Sequence, residues 1–178
     1  MQQERAIVLI DGSNFYFKLR DLQLSKLITF DFSRFAQFLI GDRTLVQATY
    51  YVGRLETDGT EKAARMHANQ QRLFAHLKKH QFTYSLGYLL KSNGVFHEKG
   101  VDVNIAVDMV VAAYENSCER IYLVSSDTDL LPAIKKAQEK EKIVEYVGFS
   151  HNLSKALVGR CKEKLILNRD ALLPFILK

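Results

Sequence analysis

The clearest pattern in the chain is a pair of short, continuous apolar runs, each followed by a polar segment. Residues 6–10 precede Asp11-Gly12-Ser13-Asn14, and residues 120–124 precede residues 125–129. A continuous apolar run of this length is typical of a strand that is buried on both faces of a sheet. The composition of residues 45–52, 81–90 and 143–147 predicts three further strands, and the Asn-Gly pair at 93–94 predicts a hairpin that returns over residues 95–97.

Helical spacing of apolar residues falls between these strands. It predicts helices over residues 15–22, 33–40, 61–79, 101–114 and 130–139, with a last substantial helix that begins at residues 154–157. Asp31 or Ser33 is available as the N-cap of the second helix, and Gly41 as its stop. The helix over residues 101–114 is apolar almost all round, so we expect it to be buried on most faces.

The alternation of strands and helices predicts a three-layer α/β/α architecture with a central, mainly parallel sheet. A chain of 178 residues is long enough for one compact domain, and no low-complexity linker interrupts it. We therefore expect a single domain over residues 1–178. Binding sites in such sheets lie beyond the carboxyl ends of the strands, and that edge is where functional residues are expected.

Composition narrows the class of protein. Cys118 and Cys161 are too few and too far apart for a disulfide framework, and no Cys/His spacing resembles a zinc site. The sequence has neither a signal-peptide core nor a run of ~20 apolar residues, so we expect a cytoplasmic protein that does not enter a membrane. A formal net charge of +5 favours a polyanionic partner without requiring one.

Four aspartates stand at positions that the predicted sheet would bring together. Asp11 follows the first strand, Asp127 and Asp129 follow the strand over residues 120–124, and Asp102 stands at the start of the apolar helix. Each alone is more often a helix cap or first-turn residue than a catalyst. If the two strands are neighbours, Asp11, Asp127 and Asp129 converge at the carboxyl edge of the sheet, and Asp102 can face them from its helix.

Carboxylates gathered this closely repel one another unless a cation neutralises them or some of them take up protons. Mg²⁺ and Mn²⁺ prefer oxygen ligands and commonly bind through one or two carboxylates together with a substrate phosphate. Such a metal activates water and stabilises the leaving oxygen of a phosphodiester. The aspartates therefore predict metal-dependent phosphodiester hydrolysis, with Mg²⁺ or Mn²⁺ as the cofactor.

Three further side chains are candidates for supporting roles. Asn14 could orient Asp11 or a metal-bound water, although a helix-capping role explains it nearly as well. Lys99 could meet a phosphate, although a solvated loop lysine is the simpler interpretation. Asp108 lies about 120° from Asp102 on a helical wheel, so it is either an auxiliary carboxylate, a polar tie to a neighbouring loop, or part of a narrow polar stripe.

Three motifs, in this order, resemble the NYN domain family, a branch of the PIN-like nucleases. They are residues 7–10 with Asp11-Gly12-Ser13-Asn14, then Lys99-Gly100-Val101-Asp102-Val103 with Ala106-Val107-Asp108, then Val124-Ser125-Ser126-Asp127-Thr128-Asp129. The similarity runs from about Arg5 to the last helix, and it is strongest to the bacterial LabA-like subgroup.

This resemblance implies a Rossmann-like PIN fold and a ribonuclease that depends on Mg²⁺ or Mn²⁺. Asp11, Asp102, Asp127 and Asp129 match the acidic positions of the family, and Asn14 and Ser125 match its polar motif positions. Two departures concern loop geometry, since Leu130 stands where the family usually has an aromatic residue and Ser126 replaces a usual glycine. The family also includes regulatory members, so the fold alone does not establish turnover.

The leading hypothesis is a ribonuclease acting on single-stranded RNA, with pairing into a homodimer left open. The alternative is a non-catalytic nucleic-acid- or protein-binding module that retains the acidic pocket. A small-molecule phosphohydrolase ranks last, because its Asp-x-Asp signature would follow the first strand, where Asp11-Gly12-Ser13 stands instead.

Overall fold

The computed structural model describes residues 3–24, 26–55, 59–92 and 95–177. Its strands are β1 (Arg5–Asp11), β2 (Thr44–Gly53), β3 (Thr83–Ser92), β4 (Val95–Lys99), β5 (Arg120–Val124), β6 (Ile143–Phe149) and β7 (Glu163–Leu167). Its α-helices are α1 (Gly12–Asp21), α2 (Phe32–Ile40), α3 (Glu61–Lys79), α4 (Val101–Tyr114), α5 (Leu131–Glu139), α6 (Lys155–Arg160) and α7 (Arg169–Leu172). Within these ranges, three short 3₁₀ turns cover Leu27–Thr29, Thr128–Leu130 and Leu173–Phe175.

The strands of the described residues form one sheet in the order β4-β3-β2-β1-β5-β6-β7. All neighbouring strands are parallel except β3 and β4, which pair as an antiparallel hairpin. The chain leaves β1 toward β2 on one side and later returns to β5 on the other. This reversal of strand order places a crevice at the carboxyl ends of β1 and β5, as is general for open parallel sheets.

Helices cover both faces of the sheet, which confirms the predicted three-layer α/β/α architecture. Along β1, Ala6, Val8 and Ile10 face a core that includes α1, α2 and part of α3. Ile7 and Leu9 face the opposite core, formed with α4, α5 and α6. The first strand is buried on both faces, which is why its sequence is continuously apolar.

Most of the predicted elements are confirmed, including the bounds of α3 and β5 and the capping of α2 by Asp31 and Gly41. The β3–β4 hairpin also forms, while its predicted Asn93-Gly94 turn lies outside the described residues. Two predictions were wrong in detail. Helix α1 begins at Gly12, directly after the strand, and the last substantial helix is only the six-residue α6, followed by the unpredicted edge strand β7.

Helix α4 is less buried than its sequence indicates. Val103, Val107, Val111 and Tyr114 form an exposed stripe, and each is at least 44% accessible. The opposite face, with Ile105 and Met109, packs on the sheet. The sheet and α5 cover only part of the helix circumference, so an almost uniformly apolar helix leaves one side in solvent. Within the described ranges, no helix is both long and apolar enough to cross a bilayer.

Candidate active site

Asp11 stands at the centre of the crevice, as the last residue of β1 and the N-cap of α1. Its Oδ1 accepts a hydrogen bond from the Asn14 backbone N–H at 3.0 Å, and its Oδ2 accepts one from the Ser125 hydroxyl at 2.9 Å. Only 8% of the residue is accessible to solvent. A carboxylate has about four acceptor sites, so these two bonds fix its orientation and leave room for further ligands.

The loop after β5 is built around Ser125, which is almost completely buried. Its hydroxyl donates to Asp11 and also accepts the Asp127 backbone N–H at 3.1 Å. The Asp127 side chain in turn caps the 3₁₀ turn Thr128–Leu130, since its Oδ1 accepts the Asp129 N–H at 2.9 Å. Ser125 therefore joins the ends of β1 and β5 and sets the position of Asp127 relative to Asp11.

The third side of the crevice comes from the junction between β4 and α4. The chain turns at Gly100, whose φ of 79° is in the left-handed region that favours glycine. Asp102 then lies in the first turn of α4, and its carboxylate bonds to no other part of the described chain. Together these segments enclose a polar cavity of about 240 Å³, here called the acidic pocket, lined by Asp11, Glu98, Lys99, Gly100, Val101, Asp102 and Asp127.

Glu98 is a fourth acidic residue of this pocket, and it is not among the residues predicted from the sequence. Its Oε2 accepts the Gly53 backbone N–H at 2.7 Å and the Ser13 hydroxyl at 3.0 Å. These bonds link the hairpin strand β4 to the ends of β2 and α1. Two signals pointed to it, its position directly before the Lys99-to-Asp102 motif and the predicted β3–β4 hairpin, but the predicted return arm ended at residue 97, one residue short of Glu98.

The electrostatics of the pocket favour binding of either protons or a cation. Burial raises the pKa of Asp11 to about 6, even though the hydrogen bonds from Asn14 and Ser125 lower it. The neighbouring carboxylates of Glu98 and Asp127 make a smaller contribution to this raised pKa. Asp11 is therefore a buried carboxyl group with acidic neighbours, an arrangement that favours uptake of a proton or of a cation.

The structure does not bring every predicted residue to the pocket. The Asp129 side chain is exposed on the 3₁₀ turn and lines no part of the cavity, although its backbone N–H orients Asp127. Asp108 accepts a hydrogen bond from the Tyr51 hydroxyl at 2.7 Å, which makes it a polar tie between α4 and β2. Asn14 lies on the first turn of α1, and its Oδ1 is a buried acceptor without a hydrogen-bond partner among the described residues.

The donor set of the pocket fits a hard divalent cation. Its side-chain ligands are carboxylates, with neither histidine nor cysteine, which suits Mg²⁺ or Mn²⁺ and disfavours zinc. Across the described ranges, however, no three His, Cys, Asp or Glu side chains are already close enough to form a metal-binding group.

Comparison with known proteins supports the same architecture. The family model described as NYN domain matches residues 5–168. The uncharacterized protein MJ0482 of Methanocaldococcus jannaschii is 36% identical over 78 residues, which is 40% of this chain and 32% of that protein, so the chain spans about a third of that relative's length. The crystal structure of a protein of unknown function, VPA0982 from Vibrio parahaemolyticus, is similar in fold, with a TM-score of 0.73 over 97% of this chain and 98% of that chain, at 22% identity.

Proposed function

Because this chain belongs to the NYN domain family, we propose that it is a ribonuclease that depends on a divalent metal and hydrolyses phosphodiester bonds of single-stranded RNA. The observation that carries this proposal is the acidic pocket, in which four carboxylates and Lys99 meet beyond the carboxyl ends of β1 and β5. From the motif resemblance, we also place the chain in the LabA-like bacterial subgroup.

In this proposal Asp11 and Asp127 hold Mg²⁺ or Mn²⁺, and Asp102 and Glu98 complete the acidic pocket. When bound, the metal would activate water and neutralise charge on the phosphate. Ser125 keeps Asp11 and Asp127 in register, and the backbone of Gly53 holds Glu98 in place. The Asp102 carboxylate, which has no hydrogen-bond partner in the described chain, is available to accept a proton from the attacking water. Lys99 supplies a positive charge for the phosphate.

Asp129 takes a lesser role than the sequence motif indicates. Its side chain is exposed and lies outside the pocket lining, so we propose that it acts on water or RNA near the pocket instead of binding the metal directly. Asp129→Asn is accordingly expected to lose less activity than Asp127→Asn.

The test is cleavage of end-labelled single-stranded RNA with Mn²⁺, with Mg²⁺ and with chelator. We expect products only with metal, and a loss of at least about a hundredfold in Asp127→Asn, because a metal ligand contributes more than the outer residues that tune it. Asp170→Asn is the matched control, since Asp170 is an exposed aspartate on α7 and should leave the rate unchanged.

A melting-temperature measurement distinguishes a variant that has lost only the active site from one that no longer folds. Without metal, Asp127→Asn should melt at the wild-type temperature or above it, because one of the mutually repelling carboxylates is removed. Full activity in Asp127→Asn would contradict the proposed site. If the folded wild-type protein yields no products with any metal but still binds RNA or a protein partner, the non-catalytic binding module is the better description.

A further inference from the structure

A second concavity, of about 530 Å³, lies on the face of the sheet covered by α1 and α3. We call it the α1–α3 groove; its lining is Gly12, Ser13, Tyr16, Phe17, Lys26, Leu27, Ile28, Tyr50, Val52, Leu55, Met66, Asn69, Gln70, Arg72 and Leu73. Its volume is within the range of about 300–1,000 Å³ that is usual for pockets binding organic ligands. The groove is therefore large enough for a nucleobase with its sugar.

The groove adjoins the acidic pocket. Gly12 and Ser13 line the groove and directly follow Asp11, which lines the pocket. The Ser13 hydroxyl donates to Glu98 at 3.0 Å, and Glu98 lines the pocket. A chain molecule with its phosphate in the acidic pocket would thus have its neighbouring units at the mouth of the groove.

The walls of the groove expose aromatic and aliphatic side chains. Tyr16, Phe17, Ile28 and Met66 are between 37% and 52% accessible. The rings of Tyr16 and Phe17 meet edge to face at 5.6 Å, and the Arg20 guanidinium lies 4.7 Å from the centre of the Phe17 ring. Single exposed apolar side chains are ordinary, but a contiguous group of them in a concavity marks a binding surface.

The charged residues of the groove are all positive. Lys26 and Arg72 are exposed and form no ion pair or hydrogen bond through their side-chain nitrogens with any described residue, and none of the lining residues is acidic. Asn69 presents an exposed amide, whereas Gln70 is a fixed part of the wall, held by the Leu55 N–H and the Gly53 carbonyl. A ligand that combines a flat π face with negative charge matches this lining.

We propose that the α1–α3 groove binds unpaired nucleobases of the RNA strand next to the phosphate in the acidic pocket, an inference that rests on the proposed function. Tyr16 and Phe17 stack on the bases, and Lys26 and Arg72 contact the backbone phosphates. Bases inside a duplex are already stacked and paired, so the groove selects single-stranded over double-stranded RNA.

The experiment measures binding of a fluorescein-labelled oligouridylate by fluorescence anisotropy, in low salt with chelator so that no metal-dependent cleavage occurs. Tyr16→Ala and Phe17→Ala should each raise Kd about five- to 140-fold, the range for removing one base-stacking side chain. Phe38→Ala is the matched control, because Phe38 on α2 is as exposed as Phe17, at 47% against 48%, and lies outside the groove. Arg72→Ala should weaken binding and its salt dependence, whereas Lys164→Ala, at an exposed lysine of β7, should change neither.

An abasic oligonucleotide distinguishes stacking from a general structural effect. Removing the bases should weaken wild-type binding and cancel most of the difference between wild type and Tyr16→Ala, since the two changes delete the same contact. An equal loss on abasic and intact RNA would overturn the stacking assignment. So would a concentration-dependent dimer that Phe17→Ala abolishes without affecting RNA binding, because the groove would then be a contact between copies of the chain.

The groove proposal and the nuclease proposal can be overturned independently. If the wild-type protein cleaves RNA and both aromatic variants bind and cleave normally, the groove assignment is wrong and the nuclease stands. If the aromatic variants lose RNA binding but no protein cleaves under any metal condition, the groove stands and the nuclease is wrong. Unchanged, weak binding by all proteins together with no cleavage would overturn both.

Discussion

The Asp11 carboxyl carries the main electrostatic cost of the site. It ends a buried strand and accepts two protein hydrogen bonds, and its burial raises its pKa to about 6. In the unfolded chain an aspartate has a pKa of about 3.9. Folding therefore favours the protonated form of Asp11. That contribution to stability is complete below about pH 4 and disappears as the pH rises through 6.

Replacing the Asp11 carboxyl should remove the part of the pH dependence of folding stability that comes from its titration. We expect the metal-free wild-type protein to lose about 2–3 kcal/mol of unfolding free energy relative to Asp11→Asn between about pH 4 and pH 7. Urea unfolding of both proteins across this range, with chelator, measures the difference. Adding Mn²⁺ above pH 6 should restore stability to the wild type alone. Parallel pH curves for the two proteins would show that Asp11 titrates normally.

The Ser125 hydroxyl orients the Asp11 carboxyl and lowers its pKa through one hydrogen bond. Ser125→Ala removes a donor to Asp11 and an acceptor of the Asp127 N–H, and we expect a loss of about 1–3 kcal/mol in stability. Loss of a hydrogen bond to the charged form also raises the pKa of Asp11, so the acidic limb of the cleavage pH profile should move to higher pH.

The neighbouring hydroxyl supplies the control for this change. Ser126→Ala alters a contact with the Tyr146 hydroxyl at 3.3 Å and touches neither aspartate, so its pH profile should superimpose on that of the wild type. A Ser125→Ala profile that does not move would mean that the hydroxyl only supports the loop.

At the scale of elements, the position of Asp102 depends on how closely β3 passes the start of α4. A Cβ atom at Gly87 would lie 2.5 Å from the Lys99 carbonyl oxygen and 2.7 Å from a methyl group of Val101. Because the first of these neighbours is backbone, it cannot move aside as a flexible side chain would. A glycine is thus required where the strand meets the β4–α4 junction.

Gly87→Ala should therefore displace the junction that carries Glu98, Lys99 and Asp102. We expect a stability loss of about 1–3 kcal/mol, typical of overpacking, together with weaker Mn²⁺ binding and slower cleavage by the folded protein. Isothermal titration with Mn²⁺ and cleavage assays at matched folded fraction measure these effects. Gly159→Ala is the control, since a Cβ there meets nothing within 4 Å and should raise α6 stability by up to about 1 kcal/mol. Normal Mn²⁺ affinity in Gly87→Ala would show that the β4–α4 junction does not determine the geometry of the metal site.

Elements with a local signal could be predicted from the sequence, and those defined by their neighbours could not. The continuous apolar runs identified β1 and β5, and with them the meeting of Asp11 and Asp127. Strand β7 has five residues at the edge of the sheet, with mixed burial and no clear alternation, so its sequence does not distinguish it from a loop. The exposed valines of α4 reflect which side the sheet covers, which helical periodicity does not encode when every side is apolar.

The residues of the acidic pocket fall into the same two groups, those with a local sequence signal and those placed by their neighbours. Asp11, Asp102 and Asp127 stand next to element ends that could be located in the sequence. The convergence of Asp11 and Asp127 follows from the parallel pairing of β1 and β5, whereas Asp102 reaches the pocket through the hairpin strand β4. Glu98 lies one residue beyond the predicted return arm of the hairpin, residues 95–97, and its place at the pocket depends on the β3–β4 register, which the Asn-Gly signal alone does not define. The exposure of Asp129 follows from the 3₁₀ turn that Asp127 caps, which points two residues of one short motif in different directions.

At the scale of the whole molecule, the two edges of the sheet differ in how their carboxylates are paired. The carboxyl edge gathers carboxylates with few cations, whereas at the amino edge the buried Arg120 guanidinium is paired with Glu4, Glu145 and Glu163. These glutamates come from β6, β7 and the residue before β1. Glu145 and Glu163 are also register partners on neighbouring strands, so without Arg120 two like charges would face each other.

Stability and activity should therefore respond separately to changes at the two edges. Arg120→Met leaves Glu145 and Glu163 without their shared cation, and we expect a loss of about 3–5 kcal/mol, as for a broken buried ion pair. Arg65→Met removes an exposed pair with Glu61 and should change stability little. Thermal and urea unfolding measure both variants. Arg120 begins β5 at the end opposite Ser125, so the folded Arg120→Met protein should cleave RNA at the wild-type rate when it is assayed at low temperature. A slower rate from fully folded protein would show that the two edges are coupled.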